Sequence, residues 1–175
     1  MSLFIKDFVM KQAVYGILFT QDRKQILLVK RRDLPVWVLP GGGLDEGEDP
    51  KEGTIREVEE ETGLKVEIVR QIAEYHPVNR MTQKTYFFEC RSVGGELKTS
   101  SESKEVVFFP LDQLPLLPPP FPGWIADAMA SKPVLIVKPI EGVNYFVLIK
   151  LLVQHPVLVL RYFLTKLGIR FNARD

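Results

Sequence analysis

Residues 42–64 read GGLDEGEDPKEGTIREVEEETGL, and no other stretch of the chain narrows its folding options as far. With Gly41 the run opens on three glycines, a backbone free to turn sharply and to approach a ligand or ion closely. Asp49-Pro50-Lys51-Glu52 then announces a helix. Asp49 is the N-cap, Pro50 sits where a missing N–H costs nothing, and Glu52 is placed for a capping box. The helix should stop at Thr62, with Gly63 in the left-handed position just beyond it. At about 100° per residue, Glu57, Glu60 and Glu61 gather on one face, while Ile55, Val58 and Thr62 form another that can pack on a sheet.

Crowded carboxylates are costly. Like charges three or four residues apart destabilise a helix by a few tenths of a kcal/mol per pair. No lysine or arginine follows Glu57 or Glu60 by four residues to offset this. A cation on that face would relieve the repulsion. Carboxylates beside glycine carbonyls and Glu48 are the oxygen donors that hard divalent ions such as Mg2+ or Mn2+ prefer. Zinc is not indicated, since the chain holds only His76, His155 and Cys90 as nitrogen or sulfur ligands.

The remaining chain supplies a scaffold. Residues 13–19 and 26–30 are rich in strand formers around a polar turn and predict a hairpin. Residues 37–39 form a short strand that stops at Pro40. Further strands are expected at residues 66–69, 72–75, 85–91 and 106–109, and a helical turn at 111–114. The proline cluster LPLLPPPFPGW excludes regular structure and should wrap the surface. Residues 124–129, WIADAM, read as a second helix on the opposite side of the sheet. Cys90, the only cysteine, reads as a buried strand thiol and cannot form an internal disulfide, which fits a reducing compartment. The first residues lack the basic, apolar and small-residue pattern of a secretory signal, and a cytoplasmic protein is expected.

Charge is nearly balanced, 23 basic against 22 acidic residues, so no global footprint for stable nucleic-acid binding exists. The segment after residue 131 differs. It is strongly apolar, and from residue 143 onward Lys150, Arg161, Lys166, Arg170 and Arg174 face Asp175 alone. Lys150 and Gln154-His155-Pro156 interrupt it too often for a spanning helix. Three roles stay open for this extension, expected to be helical: packing on the domain, a homodimer contact, or amphipathic helices on a membrane surface.

The fixed positions G-x5-E-x7-R-E-V-x-E-E-x-G-L, filled by Gly42, Glu48, Arg56, Glu57, Val58, Glu60, Glu61, Gly63 and Leu64, resemble the complete signature of the Nudix hydrolases. WVLPGG before it and EVVFFPLDQLP after it extend the resemblance over about residues 13–129. It implies an α/β fold, an α/β/α sandwich with a mixed sheet, over residues 1–131, leaving residues 132–175 as the extension. It also implies Mg2+-dependent, or Mn2+-dependent, hydrolysis of a nucleoside diphosphate linked to another moiety. By position, Glu57, Glu60 and Glu61 would hold the metal, Glu48 would assist through water, and a Gly41 or Gly42 carbonyl would complete the set. Arg56 would orient the carboxylates, and Glu57 is the first candidate base. In such proteins the base can come from a loop outside the signature, which here offers Glu102 and Glu105. The segments that mark NADH-specific and coenzyme A-specific members are absent. Tyr15, Phe19, Trp37 and Tyr75 are candidates to stack a base, and Arg80 and Lys84 to meet phosphate. The alternative function is a nucleotide-binding regulatory module without turnover.

Overall fold

The structure, a computed structural model, describes residues 12–130 and 134–154. Its elements run β1 (Gln12–Leu18), β2 (Gln25–Arg31), β3 (Trp37–Val38), β4 (Gly41–Gly43), α1 (Pro50–Thr62), β5 (Leu64–His76), β6 (Lys84–Gly95), β7 (Ser103–Pro110), α2 (Phe121–Met129), β8 (Ile136–Pro139) and α3 (Tyr145–Gln154). They build a five-stranded sheet in the order β4-β1-β6-β5-β8 and a three-stranded sheet in the order β3-β2-β7. The larger sheet is mixed: β1 and β6 run parallel, as do β5 and β8, whereas β1–β4 and β5–β6 are antiparallel.

The expected hairpin does not form as a ladder. Both strands exist, but β1 pairs with β4 and β6 while β2 pairs with β3 and β7, leaving a single bridge between Phe19 and Ile26. Each strand is apolar on both faces, so a short turn is overridden by better-matched partners elsewhere in the chain. The two strands expected at residues 66–69 and 72–75 are one, β5. Register shifts between Ile68 and Arg70 and between Gln71 and Ala73 displace the alternation of inward side chains there. A bulge of that kind looks like a strand end when only the pattern is read.

Successive side chains of a strand point to opposite faces, and the two cores follow from that rule. Phe88 and Cys90 on β6 join Leu18, Leu27, Val66 and Val58 of α1 in one cluster. Phe87, one residue away, joins Tyr75, Ile17, Leu28 and the α2 residues Trp124, Ile125 and Ala128 in the other. The sheet is therefore covered on both faces. Gly16 is what lets α1 seat on β1: a Cβ there would lie 2.8 Å from Val58 Cγ2 and 3.2 Å from Cys90 Sγ.

The extension expected to be helical begins instead as a strand. Ile136–Pro139 pairs in parallel with β5 from Ala73 to His76, so the sheet edge is completed by residues after 131. Helix α3 follows, and the rest of the extension lies outside the described residues. No described helix is long and apolar enough to cross a membrane.

Trp124 anchors the α2 side: it is 4% exposed, stacks on Tyr75 at 4.7 Å and meets Tyr15 and Phe121 edge-on. Trp124→Ala is expected to cost about 3–5 kcal/mol in urea unfolding, while Val107→Ala, at an exposed position of β7, should stay within about 0.5 kcal/mol.

Candidate active site

Local rules set the helix that carries the site. Asp49 accepts hydrogen bonds from the N–H groups of Lys51 at 2.8 Å and Glu52 at 3.4 Å, Pro50 opens the first turn, and Gly63 closes the last with φ +75°. The opposite faces expected for α1 are only partly separated. Val58 and Thr62 are fully buried, but Glu61 is buried with them, Glu57 is half-buried, and Glu60 keeps 60% of its side chain exposed.

Arg56 is the hub. Its Nε and Nη2 donate to the two oxygens of Glu48 at 2.8 Å each, its Nη1 donates to Glu57 Oε1 at 2.9 Å, and Nη2 reaches the Gly43 carbonyl at 3.2 Å. Glu60 lies 3.5 Å from the same guanidinium. A planar, multi-donor guanidinium suits this task, gripping one carboxylate with two parallel bonds while reaching a second carboxylate and a carbonyl. Glu48 also accepts from the Asp45 N–H at 3.0 Å, which ties the loop to the helix.

Strand β4 crosses this network at van der Waals range. A Cβ on Gly42 would lie 2.5 Å from Glu57 Oε2, so the carboxylate occupies the space a side chain would take. The Gly41 N–H donates to Glu61 Oε2 at 2.9 Å. Burial, reinforced by the charges of Glu60 and Glu102, raises the proton affinity of Glu57 against the pull of Arg56. Burial pushes Glu61 up to about 7, with Glu57 and Glu102 adding to it and Gly41 N–H and Arg31 opposing. Glu48 is held down to about 2 by its hydrogen bonds from Arg56.

The donor set fits a hard divalent cation: carboxylate oxygens with excess negative charge beside a glycine backbone. Among the described residues, however, no three acidic, histidine or cysteine side chains already converge on one point.

The other sequence candidates scatter. Tyr75 is fully buried, its ring against Trp124 and its hydroxyl donating to Asp127 at 2.7 Å, so it has no face for a ligand and belongs to the core. Glu105 is not in the loop. It lies on β7 opposite Lys30, whose Nζ donates to it at 2.6 Å. Its neighbour Glu102 is the loop carboxylate whose charge bears on Glu57 and Glu61. Tyr15 packs edge-on against Phe121 and Trp124, and burial raises its hydroxyl, with Arg31, Glu61 and Glu57 acting on it electrostatically. Trp37 leans on Phe109 with Lys30 Nζ 5.5 Å from its ring. Phe19 is covered by the Arg23 guanidinium at 4.1 Å. Arg80 is exposed on the turn after β5, and Lys84 pairs with Glu74 at 3.4 Å.

The NUDIX domain model matches residues 10–131, well over half of the chain. The chain belongs to the NUDIX family. It is 38% identical over 111 residues to an ADP-ribose pyrophosphatase of Methanocaldococcus jannaschii, covering 60% of this chain and 64% of that protein. It is 33% identical over 100 residues to a putative 8-oxo-dGTP diphosphatase of Bacillus subtilis, covering 57% and 67%. The crystal structure of an ADP-ribose pyrophosphatase from Streptococcus suis superposes with a TM-score of 0.62 at 30% identity, covering 75% of this chain and 99% of that one. The matches span about half to two thirds of the curated relatives' own lengths.

Two features of this NUDIX domain were not legible beforehand. Ser103 is fully buried and donates from Oγ to the Glu61 carbonyl at 3.0 Å, and Arg32 holds the same loop through its N–H to Glu102 O at 2.9 Å and Nη2 to Ser103 O at 3.0 Å. Arg31, gripped by Asp33 at 2.8 and 2.7 Å, places a half-buried positive charge near Tyr15 and Glu61. Both sets lie in polar stretches, RRD and SSESKE, that carry no periodic signal.

Because the folded Glu48 lies below an unfolded carboxylate, its pairing with Arg56 contributes stability that is present above about pH 4.3 and lost as pH falls toward about 2. In metal-free protein, Glu48→Gln should lower the urea midpoint at pH 7. The gap from the parent should close progressively across that acid window.

Proposed function

We propose that this protein hydrolyses a pyrophosphate bond in a nucleoside diphosphate linked to another moiety, of the (d)NTP, ADP-ribose or nucleotide-sugar class, using Mg2+ or Mn2+. The observation that carries this reading is the seating of Glu57 and Glu61 against the Gly41–Gly43 strand, with Arg56 locking Glu57 to Glu48. Relatives named for pyrophosphatase and diphosphatase activity support it.

Glu57, Glu60 and Glu61 would hold the divalent ion, with Glu48 and a Gly41 or Gly42 carbonyl assisting. A bound divalent ion neutralises phosphate charge and makes water a better nucleophile at neutral pH. The chain's own part is positional. Arg56 keeps the carboxylate of Glu57 in one orientation through its Nη1 bond. The buried site and neighbouring acids raise the proton affinity of Glu57, bringing it nearer to what a base needs to accept a proton from an attacking water. Glu102, held at its backbone by Arg32, is the second candidate for that proton. Tyr15, beside the buried end of the site, and Trp37, beside Lys30, are the aromatic candidates that stay partly accessible for the nucleoside.

A metal-supplemented screen of nucleoside triphosphates, ADP-ribose, nucleotide sugars and dinucleoside polyphosphates, with products identified by mass, tests the reading. One class should release a nucleoside monophosphate with a strict divalent-ion requirement. Glu57→Gln and Glu60→Gln should retain the fold by circular dichroism and lose at least ~10²-fold in kcat. Full turnover in both variants would overturn the assignment of these residues, and no metal-dependent product from any class would overturn the hydrolase.

A further inference from the structure

The family match ends at residue 131, and the helix beyond it presents an unusual face. Tyr145, Phe146, Ile149 and Val153 of α3 are exposed at 57%, 76%, 59% and 77%. At about 100° per residue these four share an arc of about 100°, and exposed Lys150 stands at its margin. A helix on the surface of a water-soluble domain turns polar residues outward; this one turns two aromatic and two branched aliphatic side chains outward.

Charge separates the candidate occupants. Residues 143–175 hold five basic residues and one acidic residue, a net +4, whereas the whole chain is +1, so residues 1–142 carry −3. The described residues leave the face open. A second copy joined helix to helix across a two-fold axis would press two +4 segments together. An anionic lipid surface instead attracts each lysine and arginine and accepts aromatic and aliphatic side chains at the headgroup boundary. The contact of α3 would run along the surface, since ten residues are too few to cross a bilayer.

We propose that α3 docks this protein on an anionic lipid surface, with Tyr145, Phe146, Ile149 and Val153 entering the headgroup layer and Lys150, within a segment of net charge +4, supplying the attraction. The contact is independent of the hydrolase reading.

Flotation of the full chain with phosphatidylcholine vesicles, and with vesicles that also contain phosphatidylglycerol, tests it. The protein should float with the anionic vesicles only and be released by high salt. Phe146→Ser and Ile149→Ser, both at exposed positions, should each weaken binding about tenfold with unchanged circular dichroism. Lys150→Glu should weaken binding to the anionic vesicles and make it less sensitive to salt. Absence of flotation, equal binding to both vesicle types, or binding indifferent to the two serine substitutions would overturn the proposal. So would light scattering that shows a dimer, abolished by Phe146→Ser, in a protein that does not float; the face would then belong to a second copy.

Discussion

The guanidinium of Arg56 is the point on which the site depends. It stands among Glu48, Glu57, Glu60 and the Gly43 carbonyl, and binds two of those carboxylates with bonds of 2.8 to 2.9 Å. Without it, the loop after β4 and the face of α1 would bring like charges together across a short gap, with nothing to fix their geometry. With it, the same charges become an ordered array in which Glu48 is firmly ionised while Glu57 and Glu61 are left with excess proton affinity. A partly exposed cation of fixed shape thus holds one carboxylate firmly ionised and leaves two with raised proton affinity.

That array needs a close backbone beneath it, and two glycines provide the approach. Gly16 allows α1 to settle on β1 with Val58 in the core, and Gly42 leaves room for the Glu57 carboxylate. The consequence is a helix pressed between a sheet below and a glycine strand beside it, so that small displacements of either would move the carboxylates. The loop from Ser100 to Ser103 adds a third constraint through Ser103 and the Glu61 carbonyl. Packing, hydrogen bonding and electrostatics converge on the same turn and a half of helix.

Much of this was readable in advance where local chemistry dominates. The capped helix from Pro50 to Thr62, its left-handed Gly63 terminus and the buried thiol of Cys90 follow from short-range rules, because each depends on a few adjacent residues. Strand pairing was not readable in the same way. β1 and β2 look like a hairpin in sequence yet belong to different sheets, since partner choice is set by side chains that meet only when the whole chain has folded. The surroundings of Tyr75 and Glu105 were not readable for the same reason. Each has plausible chemistry, but Tyr75 is claimed by Trp124 and Asp127, and Glu105 by Lys30.

The sequence by itself determined the helix, its caps, the spacing of its carboxylates and the membership that spacing implies, because all of these are properties of one continuous stretch. Tertiary structure alone decided which carboxylate is buried, that the Gly41 N–H meets Glu61, that Ser103 and Arg32 hold the Glu102 loop, and that a strand from beyond residue 131 completes the sheet. The physical reason is distance along the chain. Contacts between residues 20 to 75 positions apart leave no periodic trace in either partner, and they exist only because the folded sheet brings those partners within hydrogen-bonding range.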